Sequence, residues 1–553
     1  MNFPYLVLGA LGTAAIAYAL ARVTRQYALA AVAGSGAILL LHGHLYFHYT
    51  SDDAYISYRY ARNLADGAGL VWNRGQWVEG YTNFLWILSL AGLHRAGADV
   101  VLSGRWLGFG LSVVAAAGAY AVAARLVEGA PGRAAGLAAA LLLAACGTWA
   151  AWSMAGLESP LLAVLALVAV LLHLREQRSP NMPASGAAWA FAALARPDAL
   201  VLAAVSAAFK AGESAVRFRT DGAGARPLLR EAARLVLWCA GFAAVFVPYF
   251  VWRYRTYGWL FPNTYYAKVG SGIDQYERGL DYLSAFNEQY AAWLLLIAPL
   301  ALALTSIRRG PALYLLALVV GWMAYVVYVG GDSLARLRFF APVLPLYYAL
   351  IASSGAAFIA ALAADRRRWL VEGATVLAVA GLIAFTLRIS AGDFGLPEER
   401  QAVGERVEMG RWLRDNVPDT TVIAVIPAGA IPYESRLQTI DMLGLNDEHI
   451  AHRKLELGKF PAGHEKYDSE YVLDQRPDII ILTDALQSGP WSRQDYDAFN
   501  GGVIPARIDM LKQDRLWSDY EPRAVEVRDG KWFNLLVRRD AAAVLATTQA
   551  PPG

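Results

Sequence analysis

The chain has 553 residues, 57% of them apolar and only 17% charged, with a mean hydropathy of +0.34. A soluble globular protein is about half apolar and a quarter charged, so this composition excludes a cytosolic enzyme and points to a polytopic α-helical membrane protein. The net charge of +3 suggests no nucleic-acid partner, and two cysteines inside apolar blocks, Cys146 and Cys239, exclude a disulfide framework or a cysteine metal site.

Alanine and leucine gather in blocks of about twenty residues, the length that spans ~30 Å of hydrocarbon. Ten spanning helices are expected, over residues 4–22, 27–47, 101–124, 134–153, 157–174, 234–252, 290–306, 311–329, 341–363 and 370–388. The first block, Tyr5 to Ala21, lacks the basic flank and cleavage site of a signal peptide and reads as a retained helix. Four short basic loops carry Arg22 and Arg25, Arg125 and Arg133, Arg308 and Arg309, and Asp365 to Arg368. With the longer loop from Lys210 to Arg234, they are assigned to the cytoplasm by the positive-inside rule. The block 185–209 has basic flanks on both sides and is broken by Arg196-Pro197-Asp198. A re-entrant pair of short helices is expected there, with Arg196 and Asp198 as a structural clamp.

The remaining loops then face outward. The first, about 48–100, should hold a helix over Ala54–Asp66, a turn at Gly67-Ala68-Gly69, and an apolar helix over Thr82–Ala96. Trp86, His94 and Arg95 suggest that the last of these lies along the outer interface. After residue 389 the Ala-Leu blocks stop; Thr421–Ile426 and Asp478–Leu482 read as buried parallel-type strands and Trp532–Val537 as another. Two units are therefore expected: a membrane unit over 1–388 and an extracytoplasmic α/β domain over 389–553. No internal repeat or inverted symmetry is visible, which counts against a secondary transporter.

The informative stretch starts where the second helix leaves the membrane, at Ser51-Asp52-Asp53-Ala54-Tyr55-Ile56-Ser57. Adjacent carboxylates at a bilayer surface repel each other and lose hydration, so at least one should gain affinity for protons or cations. Helix capping by Ser51 or Asp52 is the competing reading, but capping needs one residue and here there are three in a row. Tyr58-Arg59-Tyr60-Ala61-Arg62-Asn63-Leu64 follows, then Gly69-Leu70-Val71-Trp72-Asn73 and Val78-Glu79-Gly80-Tyr81-Thr82-Asn83-Phe84-Leu85-Trp86. Together these resemble the GT-C glycosyltransferase superfamily. Within it they are similar to bacterial arabinofuranosyltransferases that finish cell-wall arabinan or decorate pilins. The resemblance covers residues 27–390 in organisation and is specific in the outer loops.

It implies a multi-pass protein of the bacterial inner membrane, with its active site on the outer face. The donor would be a polyprenyl-phosphate sugar and the acceptor an extracytoplasmic glycan or glycoprotein. The acidic residue of loop one acts as catalytic base in that superfamily; it carries over to Asp52, with Asp53 the close alternative. Three further outer segments fit. Gly156-Leu157-Glu158-Ser159-Pro160 offers Glu158 as a second carboxylate or a helix cap, and Pro262 to Lys268 offers Asn263, Tyr265 and Tyr266 for sugar and Lys268 for phosphate. Tyrosine and lysine are also ordinary interface anchors. The segment Gly330 to Phe339 carries Asp332, Arg336 and Arg338. Arginine at an outer helix start runs against the positive-inside bias, so an anion partner is expected, with Arg338 first and Arg336 second. His464, in the cluster Gly463-His464-Glu465-Lys466, could reach the site or the acceptor, although a solvated loop is the blander reading.

No phosphate-cradling Gly-Lys-Ser/Thr loop supports ATP use, so the energy must come from an activated donor. No cofactor and no obligatory metal are expected, although paired acids leave a divalent ion open. The residues do not distinguish arabinofuranose from mannose or aminoarabinose. A lipid-sugar flippase and a membrane-anchored assembly protein are the rival classes.

Overall fold

The computed structural model describes residues 3–178, 183–220, 225–270, 272–296, 298, 301, 305, 307–362, 368–391, 396–499 and 504–541. Among them, eight helices are long and apolar enough to cross a membrane. The N-terminal half runs α1 (Phe3–Thr24), α2 (Tyr27–Gly43), α3 (Asp52–Ala65), α4 (Phe84–Arg95), α5 (Val100–Leu126), α6 (Gly129–Ala145), α7 (Gly147–Met154) and α8 (Ser159–Arg178). It continues with α9 (Ser185–Ala195), α10 (Ala199–Thr220), α11 (Ala225–Tyr257), α12 (Asn263–Lys268) and α13 (Ile273–Tyr290). The helices Arg309–Val329, Leu344–Leu362 and Arg368–Ala391 follow. The multi-pass character read from composition is thus present in the fold.

The bundle is built around α6, which packs against α2, α5 and the Leu344–Leu362 helix. Its sequence, GAPGRAAGLAAALLLAA, lets neighbouring backbones approach closely, the way helices gain packing where burial from water gives no drive. The expected single span over 134–153 is instead a broken pair. At Cys146 the backbone becomes extended, and α7 leaves α6 at 65°. Of the expected span 290–306, Ala292–Leu296 forms a 3₁₀ turn, and seven of its seventeen residues lie outside the described ones. Most of the basic loop at Asp365 to Arg368 also lies outside them.

Two local expectations are corrected. Of the pair read into 185–209, only α9 is short; α10 has 22 residues and is long enough to span. The charges that look like a helix end in sequence are matched within the bundle, Lys210 by Glu176 and Arg217 by Glu213 at 3.3 Å. Trp86 is not an interface anchor: it is fully buried, and its Nε1 donates to the Gly156 carbonyl at 3.0 Å.

The C-terminal part carries one five-stranded sheet of order β2-β1-β3-β5-β4, with β1 Val422–Val425, β2 Gln438–Asp441, β3 Ile479–Ile481, β4 Tyr520–Arg528 and β5 Lys531–Arg538. β1 pairs in parallel with β2 and β3, whereas β5 is antiparallel to β3 and β4. Both faces are covered: Ala424, Ile480 and Leu536 pack on one, and Ile423, Ile479 and Val537 on the other. This is why β1 and β3 read as continuous apolar runs rather than alternating ones.

This region docks directly on α3. Arg59 donates to the Pro432 carbonyl at 2.6 Å and to that of Leu437 at 2.7 Å, while its Nε holds the Trp72 carbonyl at 2.7 Å. Asn73 exchanges two hydrogen bonds with the Thr439 backbone, and Arg62 lies over the Tyr433 ring at 4.4 Å. The Tyr-Arg-Tyr-Ala-Arg-Asn-Leu stretch is therefore the dock for the second unit.

Candidate active site

Where α3, α12, the Gly156 turn and the segment Gly331 to Phe339 converge, they line a cavity of about 310 Å³. Asp53, Glu158, Arg196, Lys268, Asp332 and Arg338 line it, with Tyr265, Tyr325 and Phe339 among the apolar walls. Each charged group is delivered by a local device. Asp53 occupies the first turn of α3, where the helix dipole favours a negative charge. Glu158 follows Gly156, whose φ of +88° and contact with Tyr58 admit no side chain; a Cβ there would stand 2.0 Å from the Tyr58 hydroxyl.

Lys268 ends α12, a single turn held at its start by Asn263. The Asn263 N–H donates to the Glu79 carbonyl, and its amide donates to the carbonyls of Gly444 and Leu445 at 2.9 and 3.1 Å. Arg338 is aimed by two successive left-handed residues, Arg336 (φ +58°) and Leu337 (φ +51°). Such a conformation costs of order 1 kcal/mol or more for a non-glycine residue and persists where the surroundings fix it.

The charges fall into two groups. In the first, Arg196 bridges Glu158 at 2.5 Å and Asp198 at 2.6 Å, and Asn83 donates to Glu158 at 2.7 Å. The clamp expected of Arg196 and Asp198 is therefore part of the cavity wall and includes Glu158. In the second group, Arg338 Nε donates to Asp332 at 2.6 Å, and one of its terminal nitrogens lies 3.9 Å from Asp53. Phe339 lies between the groups, with the guanidinium carbons of Arg196 and Arg338 each 5.4 Å from its ring centre. Among the described residues Lys268 forms no ion pair within 4 Å, and its stem packs against Gly463.

Asp53 keeps 30% of its side chain exposed to the cavity. Burial acts to raise its carboxyl, but Lys268, Arg338, His464 and Arg406 together hold it below the usual carboxylate range. Burial pushes the His464 imidazole below its ordinary value, against the opposing field of Asp53. The loop behind it is not solvated: Glu465 is buried and accepts from the N–H groups of Gly458 at 2.6 Å and Phe460 at 3.0 Å.

The other residues singled out in sequence stand elsewhere. Asp52 points away from the cavity; its two oxygens accept from the N–H groups of Gly429 and Ala430 at 3.1 Å each, with Arg406 3.5 Å away. Arg336 is buried with its guanidinium over the Tyr46 ring at 5.8 Å. Tyr266 packs on Trp259 and His452, and Asn263 serves the loop contacts described above. Tyr81, Asn83 and Tyr325 line the cavity without having been singled out as site residues. For Tyr81 and Asn83 the signal was their place in the Val78–Trp86 motif.

The helical bundle with its C-terminal five-stranded sheet has the GT-C fold. Over 94% of this chain and 98% of the other, it is similar to ArnT from Cupriavidus metallidurans bound to undecaprenyl phosphate, with a TM-score of 0.57 and 14% identity. It is also similar to the Archaeoglobus fulgidus oligosaccharyltransferase, with a TM-score of 0.50 and 11% identity over 96% of this chain and 76% of that one. In sequence it is 31% identical over 287 residues to the terminal β-(1→2)-arabinofuranosyltransferase of Mycobacterium tuberculosis. That match takes in 47% of this chain and 42% of the relative, so the chain spans less than half the length of the curated relative it matches. Residues 394–535 match a family described as a domain of unknown function, DUF8728.

Proposed function

We propose that this protein is a membrane glycosyltransferase that moves a sugar, arabinofuranose, from a polyprenyl-phosphate donor to an extracytoplasmic glycan or glycoprotein. The observation that carries the reading is Asp53 in the cavity with Arg338 3.9 Å away and Lys268 on the same wall. Lys268 and Arg338 bind the donor phosphate, Arg338 with the planar fork suited to it. The acceptor oxygen attacks the anomeric carbon, and the carbon–oxygen bond to phosphate breaks with inversion. The acceptor proton goes to Asp53 and the electron pair to the phosphate.

Lys268 and Arg338 favour the ionised form of Asp53; a bound phosphate offsets the pull of the two cations and raises its proton affinity as the acceptor arrives. Glu158, Asp332 and Tyr265 border the sugar, and His464 stands behind it. The displacement is metal-independent, because the phosphate charge falls to Lys268 and Arg338. The names of the matched relatives, an arabinofuranosyltransferase and an ArnT bound to undecaprenyl phosphate, support both the sugar and the lipid. The cavity and the 389–553 domain face the outside of the bacterial inner membrane.

The test is turnover by purified protein given polyprenyl-phosphoryl arabinofuranose and an arabinan acceptor. Release of polyprenyl phosphate with a lengthened acceptor is the expected result. Donor binding without turnover overturns the enzyme in favour of a carrier, and turnover with a mannose or aminoarabinose donor alone overturns the sugar. A reporter fused at the C-terminus that is active only in the cytoplasm overturns the orientation.

A further inference from the structure

A second cavity, of about 640 Å³, lies on the other side of the loop that walls the first. The loop runs from Met442 to Asp447. Its Leu445 lines the catalytic cavity, and the next residue, Asn446, lines the second one. The walls come from four parts of the chain: Gln76 and Val78 of the first long loop, Trp259 after α11, the segment from Asn446 to Arg453, and Tyr471.

The chemistry of these walls is specific. Trp259 remains 38% exposed, with its ring 3.9 Å from that of His452. Tyr471 lies flat on His449 at 4.0 Å and donates its hydroxyl to Asp447 at 3.1 Å. The Nε2 of His452 is buried and has no hydrogen-bond partner among the described residues. Burial keeps that imidazole below its ordinary value, which favours the neutral ring, one nitrogen a donor and the other an acceptor. Aromatic faces set beside planar amide, carboxylate and imidazole groups match a ligand with an apolar C–H face and a rim of hydroxyls. The volume falls within the usual range of ~300–1,000 Å³ for a small-molecule site.

We propose that this groove binds the non-reacting part of a neutral oligosaccharide acceptor whose end is presented to Asp53. The inference rests on the transferase reading above and adds a saccharide site that the catalytic cavity does not contain. Binding energy from such a remote segment positions the reacting hydroxyl and rejects short acceptors.

The experiment titrates the full-length protein in detergent with a linear arabinofuranose hexasaccharide, following tryptophan fluorescence and calorimetry. Arabinose alone and undecaprenyl phosphate are titrated in parallel. The hexasaccharide should bind at least tenfold tighter than arabinose. Trp259→Ala and, separately, His449→Ala should each weaken it about tenfold while leaving undecaprenyl phosphate affinity unchanged. His449 is exposed, so its variant keeps the test open if Trp259→Ala fails to fold. Equal hexasaccharide affinity in wild type and both variants, or no binding by wild type, overturns the groove. Hexasaccharide bound through the groove by a protein that binds no undecaprenyl phosphate overturns the transferase reading and leaves the groove standing.

Discussion

Asp52 Oδ2 accepts a hydrogen bond from the Gly429 N–H at 3.1 Å across 377 residues of sequence. The carboxylate caps the short helix Ala430–Ser435 and ties the membrane unit to the C-terminal domain. Its neighbour Asp53 is left facing the cavity. Asp52→Ala should therefore cost stability, about 1–2 kcal/mol as for a lost N-cap. Asp53→Asn should lower the melting temperature less than Asp52→Ala and cut transfer by about 10²–10⁴-fold. Thermal melts and turnover of the two variants, measured side by side, check the assignment. An active Asp53→Asn protein would remove it as base.

Gly429 is needed for that cap. A Cβ at this position would stand 2.1 Å from the Asp52 carbonyl oxygen and 2.4 Å from its Oδ2. The carbonyl oxygen cannot move without shifting the first turn of α3, which also carries Asp53. Gly429→Ala should lower the melting temperature and reduce transfer together, and limited proteolysis should cut the C-terminal domain faster than in wild type. Unchanged proteolysis with lost transfer would separate the cap from the dock.

At the proposed phosphate subsite the two cations should differ. Lys268→Met should weaken undecaprenyl phosphate by about 1.5–3 kcal/mol, the range for a charge-assisted hydrogen bond. Arg338→Lys keeps the charge but loses the planar fork and the Nε contact to Asp332 at 2.6 Å, so turnover should fall further than donor affinity. Calorimetry with undecaprenyl phosphate, together with single-turnover rates, reads both.

Much of this was legible in the chain. The apolar blocks and the acidic pair mark a membrane bundle with a polar site at one end, because hydrophobic length and charge are local properties. The choice between Asp52 and Asp53 is not local. It depends on Gly429, whose arrival beside α3 requires the C-terminal domain to fold and dock. Trp86 reads as an interface anchor until its partner, the Gly156 carbonyl, comes alongside. Of the strands, β1 and β3 announced themselves by apolar runs. β2 (Gln438–Asp441) and β4 (Tyr520–Arg528) carry polar residues because they are the two edges of the sheet, and polar edges are hard to tell from loops. The Glu465 side chain looks solvated in sequence, yet it is the acceptor that organises the turn in front of Lys268.

The pH dependence of transfer gives the sharpest test of the field around Asp53. Its carboxyl is held below the usual range because Lys268, Arg338, His464 and Arg406 outweigh the upward push of burial. A folded-state value below the unfolded one adds stability that is present above the unfolded value, about 3.9 for an aspartate. That stability is lost as pH falls through the depressed value. The acid limb of kcat/KM, which reports the free enzyme, should likewise lie below that value. Lys268→Met removes the first of the opposing cations and leaves the burial, so the acid limb of its residual activity should move to higher pH. Asp53→Asn should lose the limb along with the activity. Identical acid limbs in wild type and Lys268→Met would mean that the group titrating in catalysis is not the one beside Lys268.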